Sequence, residues 1–376
     1  MGNPKVVKRA ILLLILGLVY TVPAAIAFVR QWQVEPIVQG PGITKQVMLS
    51  DYYPRLKGTA GDTEVYFSEG GEPGGTVLIL GSTHPVEPAG LLTATLYVEN
   101  AVAKKGRLII IPRANKSGYS ATEPGQGYPE GYHLKTPWGE RYFRYGMRNT
   151  NPIHQWPDPD VYTHKASGQK LAGPECGNLN RCFPGYTAGR LTDQVAYAIV
   201  ELIKKEKADL SIDLHESPPD RPAINSITAH ERALDTAAYA LTLLEEQGVF
   251  IRLESSPQNL RGLSHREWGN ATDTMAVLVE SCNPMHGPLR GPATVDLLLT
   301  AKDDMYAWAS KIGRTVIPHP EEGVPLDVRV ARHAGTILAL AQALSDLQPQ
   351  KGVVIEGIDS YDRLVKKGIG YYLKQP

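Results

Sequence analysis

Two apolar, partly β-branched runs, Thr76-Val77-Leu78-Ile79-Leu80 and Arg107-Leu108-Ile109-Ile110-Ile111, bracket a stretch from Ala89 to Ala103 with apolar residues at helical spacing. Short runs of this kind read as strands buried on both faces. Gly81 ends the first run and Pro112 stops the second. Pro88 suits a helix start, because its missing N–H costs nothing in a first turn. A strand–helix–strand unit in this order commits the chain to an α/β architecture with a largely parallel sheet. The same plan continues downstream. Helices are expected over 192–207, after 228 through Glu246, and over 293–312 and 330–347. Strands are expected over 209–214, 223–228 and 274–280. Residues 348–376 read as a strand and a short amphipathic segment.

Between Arg113 and Leu191 the periodicity breaks down among prolines, glycines and aromatics. A stretch of that length inside a compact domain is functional or disordered, and its tyrosines and tryptophans argue against disorder. Tyr119, Tyr128, Tyr132, Trp138, Tyr142 and Trp156 suit either a wall or lid over a pocket, or an insertion packed on the sheet edge.

The N-terminus carries a separate signal. Lys5, Lys8 and Arg9 precede an uncharged stretch from Ala10 to Val29. Twenty residues at ~1.5 Å rise just span a ~30 Å hydrocarbon core. The basic cluster comes first, so the positive-inside rule places the bulk of the chain on the extracytoplasmic side. Two readings stand: a signal peptide cleaved near Ala25-Ile26-Ala27, or a retained membrane anchor. The expected organisation is leader or anchor over 1–30, linker over 31–60, and a main domain over 61–347. That domain holds an irregular insertion at 114–178, and a C-terminal extension covers 348–376.

Composition excludes some classes. Lys+Arg and Asp+Glu are both 39, and no basic run follows the N-terminus, so no nucleic-acid partner is expected. Three cysteines are too few for a disulfide scaffold. An oxidised Cys176–Cys182 pair is compatible with export, and Cys282 is expected buried.

The residues with chemistry cluster at expected strand ends. His84 and Glu87 follow the strand at 76–80, at the sheet edge where open α/β folds bind ligands. An imidazole and a carboxylate on that turn suit a zinc ion, and a third protein ligand would leave one position open. His215 ends the strand at 210–214 and supplies such a ligand. Asp213, two residues earlier, suits a carboxylate that orients it. Glu280 ends the strand at 275–279, where a carboxylate is costly unless it meets solvent, a cation or a metal site. It suits a general base that takes a proton from an activated water and returns it to a leaving amine. Arg181, with Asn180, offers a planar fork for a substrate carboxylate. Arg113, just past the second strand, suits polarisation of a scissile carbonyl. A second His-x-x-Glu match, His319 to Glu322, lacks the strand context and reads as a solvated loop.

In order, His84-Pro-Val-Glu87, Pro112-Arg113-Ala114-Asn115, Asn178-Leu-Asn180-Arg181, Asp213-Leu-His215 and Val279-Glu280 resemble the zinc carboxypeptidase superfamily. The nearer likeness is to its succinylglutamate desuccinylase/aspartoacylase branch. The resemblance implies a three-layer α/β/α sandwich on a mixed, largely parallel sheet. It implies one Zn2+ held by His84, Glu87 and His215, with Glu280 as base and acid. It also implies Arg113 at the carbonyl and Asn180 with Arg181 at a substrate carboxylate. Two departures bear on substrate rather than metal: Pro85-Val86 stands where the branch often has Gly-Asn, and Asn178 where it often has Asp. The expected function is zinc-dependent hydrolysis of an amide bond in a carboxylate-bearing substrate, of the acylamino-acid deacylase type. The alternatives are a metallocarboxypeptidase acting on peptides or cell-wall stem peptides, and an inactive envelope binding module.

Overall fold

The computed structural model describes residues 3–30, 33–123 and 125–376. Residues 1 and 2 of the expected leader, 31 and 32 of the expected linker, and 124 of the expected insertion lie outside the described residues. In chain order the strands are β1 Lys45–Met48, β2 Glu64–Glu69, β3 Glu72–Leu80 and β4 Val102–Ile111. Two hairpins follow, β5 Gly131–Thr136 with β6 Gly139–Arg144, and β7 Val161–Thr163 with β8 Lys170–Ala172. Then come β9 Leu210–Ser217, β10 Ser226–Ala229, β11 Arg252–Ser255, β12 Met275–Cys282 and β13 Val354–Glu356. The helices are α1 Pro4–Arg30, α2 Pro88–Asn100, α3 Leu191–Glu206, α4 Leu234–Glu246, α5 Ser264–Ala271, α6 Val295–Thr300, α7 Asp304–Lys311, α8 Leu326–Leu347 and α9 Tyr361–Lys367.

Nine strands form one mixed sheet in the order β1-β2-β4-β3-β9-β12-β10-β11, with β13 also paired to β4. The four central strands, β4, β3, β9 and β12, are parallel, as the strand–helix–strand pattern requires. Antiparallel pairs lie on either side, β2 against β4 and β10 against β12. Alternation along the strands splits the core in two. Val77, Ile79, Ile212 and Val277 face the layer of α2, α4 and α8. Leu78, Leu80, Ile109 and Ala276 face α3 and Trp268 of α5. The molecule is therefore an α/β/α sandwich with an apolar helix, α1, at its N-terminus.

Several local expectations change. The helix expected over 293–312 is two, because Ala301 turns left-handed (φ 52) and Asp303 caps a new helix by accepting from the Tyr306 amide at 2.9 Å. The stretch expected as a linker with some extended structure holds β1, and it is part of the domain, with Leu49 and Leu56 wholly buried in the α3-side core. The irregular stretch contains both hairpins, and its Tyr119, Tyr132, Phe143 and Tyr145 pack into the α2-side core. Cys176, Cys182 and Cys282 are buried free thiols.

Candidate metal centre

The centre begins where β3 releases the chain. A Cβ on Gly81 would meet the Gly90 carbonyl at 2.6 Å, so only glycine fits there. Ser82 follows with φ 57, and the turn closes when the Glu87 amide donates to the His84 carbonyl at 3.0 Å. Pro88 then opens α2. Gly90 lets the first turn of that helix lie against β9, since a Cβ there would stand 2.8 Å from the Leu214 carbonyl. This close approach carries Glu87 to His215. Parallel pairing of β9 with β12 puts Glu280 opposite His215 in register.

Three buried side chains converge. His84 Nδ1 lies 2.8 Å from Glu87 Oε1, and His215 Nδ1 lies 3.0 Å from Glu87 Oε2. One donor atom from each residue falls within 4.8 Å of the others. Both imidazoles turn Nδ1 inward because Nε2 is engaged elsewhere. His84 Nε2 donates to Asn178 Oδ1 at 2.8 Å. The same oxygen accepts from the Asn180 amide at 3.0 Å while Asn178 Nδ2 donates to Glu175 at 2.8 Å, which fixes the amide's orientation. His215 Nε2 donates to Asp213 Oδ2 at 2.9 Å, and Thr83 Oγ1 donates to Asp213 Oδ1 at 2.7 Å. Acceptors of this kind fix the tautomer that leaves the inner nitrogen free for a cation.

The electrostatics agree with that donor set at His84 and Glu87, and leave on His215 a proton that a metal would have to displace. Burial works against the His215 cation, yet Asp213 and Glu87 outweigh it and hold its pKa well above the ordinary value. Burial favours the neutral form of Glu87 too, yet His84 and His215 keep it well below the usual carboxylate range. Burial, joined by the nearby Arg148 guanidinium, lowers His84 to about 4, so it presents a neutral ring. Two imidazole nitrogens and one ionised carboxylate are a donor set that suits zinc, with room for a fourth ligand. The residues present therefore fit the ion.

A cavity of about 810 Å³ opens on these groups. Glu280 lines it half-buried; its Oε2 has no hydrogen-bond partner, and burial, with Glu87 adding to it, pushes the carboxyl up to about 8. Asn180 and Arg181 line the same cavity. Asn180 Oδ1 is occupied by the Ser264 amide at 2.8 Å, and Arg181 NH1 donates to the Asn180 carbonyl at 2.7 Å with its Nε 3.6 Å from Glu175.

Arg113 is not brought to the cavity. Its guanidinium is buried against Glu35, with NH2 2.8 Å from Oε1 and 2.6 Å from the Glu35 carbonyl. The sheet edge where it sits is covered by the segment after α1, which strand position alone does not reveal. Arg148, which the sequence did not single out, stands beside the donors instead. It lines the cavity, its side chain is half exposed, and NH1 stands 3.2 Å from Glu87 Oε1. Glu123, also on the cavity wall, accepts from the Arg148 amide at 3.0 Å. Sequence reasoning missed Arg148 because it follows β6 in an aperiodic stretch; a lone arginine there has no distinguishing signal. His265 and His286 line the cavity as well and were not foreseen. Of the aromatics in the irregular stretch, Tyr128 reaches the cavity wall. His319 of the second His-x-x-Glu match is buried beside Cys282 and the Ala301 carbonyl rather than solvated.

The fold and these donors define an α/β/α sandwich with a candidate two-histidine, one-glutamate metal centre. No family model matches the chain, and no curated protein matches it. Among solved structures, the chain is similar to a succinylglutamate desuccinylase from Silicibacter sp. TM1040, at 16% identity and TM-score 0.37, over 58% of this chain and 53% of that one. An aspartoacylase family protein from Mesorhizobium loti aligns at 21% identity and TM-score 0.36, over 58% of this chain and 55% of that one. A metallo-carboxypeptidase from Burkholderia cenocepacia aligns at 12% identity and TM-score 0.47, over 85% of this chain and 68% of that one. The chain spans about half the length of the desuccinylase and aspartoacylase structures it matches.

Proposed function

We propose that this chain is a zinc-dependent hydrolase that cleaves an amide bond in a carboxylate-bearing substrate, with an acylamino acid as the preferred class. The observation that carries the reading is the convergence of His84, Glu87 and His215 within 4.8 Å, each outer imidazole nitrogen held by an acceptor. His84, Glu87 and His215 would hold a zinc ion, which would supply Lewis acidity to the attacking water and the scissile carbonyl. Glu280, whose Oε2 is unpartnered, takes the proton of the attacking water and returns it to the leaving amine nitrogen. Arg148 presents its guanidinium to the carbonyl oxygen as negative charge develops there. Arg181 anchors the substrate carboxylate.

A second reading, a metallocarboxypeptidase acting on peptides or stem peptides, is favoured by the breadth of the cavity. At about 810 Å³ it lies near the upper end of the usual range of ~300–1,000 Å³ and exceeds what a small acylamino acid fills. Its wall also carries Glu254 and Arg221, away from the three donors, which suits a longer charged ligand. An inactive binding module is disfavoured by an unpartnered Glu280 beside a full donor set.

The apolar helix α1 crosses a membrane in this reading and leaves the sandwich on the extracytoplasmic side. Metal analysis of the purified chain, followed by a panel of N-acyl amino acids and C-terminal peptides, tests the function. Stoichiometric zinc with amide hydrolysis is expected. A chain that binds no zinc and gains no activity when zinc is added overturns it.

A further inference from the structure

The segment that leaves α1 is stitched to the sandwich almost at once. Glu35 pairs with Arg113 at 2.8 Å, and its Oε2 accepts from the Arg144 amide at 3.2 Å. The Pro36 carbonyl accepts from Arg141 at 2.9 Å, and the Val38 amide donates to Glu99 at 3.1 Å. A Cβ on Gly40 would sit 2.2 Å from the Glu99 carbonyl, so the backbone lies flush on the domain. Between Arg30, the end of α1, and Glu35 the chain has about five Cα steps, a reach of no more than ~18 Å at ~3.5 Å each.

Glu99 ties the same segment to the C-terminus. Its wholly buried carboxylate receives Val38 N, Arg141 NH1 (3.0 Å) and Lys374 N (2.8 Å). Just beyond lies a surface of aromatics and lysines. Trp138, at the β5–β6 tip, donates to the Leu373 carbonyl at 3.0 Å, and Lys135 abuts Gly370. Tyr371 is 53% exposed, and Lys367 Nζ sits 4.3 Å from its ring centre. Lys135, Lys366, Lys367 and Lys374 outnumber the exposed Glu140 and Asp362 here. Asp359 accepts from Tyr372 Oη at 2.7 Å and pairs with Arg363 at 3.4 Å and with Lys367 at 3.8 Å. Tyrosine and tryptophan rings with interleaved lysines suit the headgroup level of a bilayer.

We propose that this surface, formed by the β5–β6 tip and residues 366–376, rests on the bilayer that α1 crosses and contacts anionic lipid headgroups. The inference rests on α1 being a retained membrane span, and it is independent of the metal chemistry. The short tether brings the patch to the membrane, and the charge and aromatic character of the patch hold it there.

The test uses the full chain in vesicles containing a headgroup-quencher lipid. A fluorophore is placed on Gln375→Cys or, on the opposite layer of the sandwich, on Lys204→Cys. Several-fold stronger quenching at 375 than at 204 is expected. A flexible Gly/Ser spacer inserted between residues 32 and 33 should preserve the difference in vesicles of phosphatidylcholine with phosphatidylglycerol, and reduce it in phosphatidylcholine alone. In the spacer chain, changing Lys135, Lys366, Lys367 and Lys374 to Glu should abolish the difference in both. Equal quenching at the two sites overturns the proposal. So does loss of the difference in both lipids with the spacer alone, which leaves only the tether. A mature chain cleaved near Ala27 and free of the vesicles overturns it without touching the hydrolase reading.

Discussion

The carboxylate of Glu216 and the guanidinium of Arg329 meet at 2.7 Å with both side chains wholly buried, one residue from the candidate ligand His215. The pair joins three elements that carry the site. The backbone amide of Glu216 donates to Glu87 Oε2 at 3.0 Å. Its carboxylate accepts from the Ala89 amide in the first turn of α2 at 3.0 Å and from Asn283, just past Glu280, at 3.3 Å. Arg329 also reaches the Leu298 carbonyl and so ties β9 to α6 and α8. One buried ion pair thereby links β9, α2 and β12 where the candidate ligands and the candidate base meet.

Breaking that pair from one side leaves a buried charge uncompensated. Arg329→Met should destabilise the fold by ~3–5 kcal/mol and weaken metal binding ~10–100-fold. Adding Glu216→Gln should recover much of the stability, because the amide oxygen still accepts from Ala89 without carrying charge. Urea unfolding and a zinc titration of the three chains measure this. A double variant no more stable than the single one would contradict the assignment.

Glu280 separates metal binding from catalysis. Glu280→Gln should retain one zinc per chain and lose ~10²–10⁴ of turnover, the usual contribution of a positioned acid–base group. Metal content by mass spectrometry alongside single-turnover rates decides it, and near-normal rates would remove Glu280 from the mechanism.

The two arginines should fail in different ways. Arg148→Ala should fold normally and lose ~10²–10³ in kcat, as expected of a group that stabilises developing charge. Arg113→Ala should cost ~3–5 kcal/mol of stability, because it strands the buried Glu35 carboxylate. Thermal melts and steady-state kinetics on both variants distinguish the roles.

Asn178 supplies a neutral acceptor to His84. Asn178→Leu removes it and should weaken zinc binding ~10–100-fold, whereas Asn178→Asp should tighten it by making the imidazole more electron-rich. Competition against a chelator reads both changes, and equal affinities across the three chains would show that the contact is idle.

Asp193 gives a pH dependence away from the metal centre. Burial raises its pKa from 3.8 to about 6, although it still accepts from the Arg190 amide at 3.1 Å before α3. The folded state therefore holds the proton more tightly than the unfolded chain does. That contribution is fully present below about pH 4 and is lost as pH rises through about 6, a change of up to ~3 kcal/mol. Asp193→Asn keeps an acceptor for the cap and should flatten the melting temperature across that window. An unchanged pH profile in the variant would assign the dependence to another group.

The amino-acid order by itself determined the parallel core and the candidate metal donors. Runs such as 76–80 and 107–111 are apolar enough to be strands wherever they lie, and local spacing around Pro88 decides where α2 starts. His84, Glu87, His215 and Glu280 were legible because each stands at the end of such a run, and parallel strands bring their ends to one edge. Tertiary structure decided what no local spacing encodes. Arg113 and Arg148 both follow strands, yet Glu35, far away in the chain, buries one and leaves the other facing the cavity. Burial of Glu216 against Arg329 and the clamp of Glu99 on residues 38, 141 and 374 likewise depend on segments that meet after the chain has folded. A charge's role is set by the partners around it, and those partners come from distant sequence.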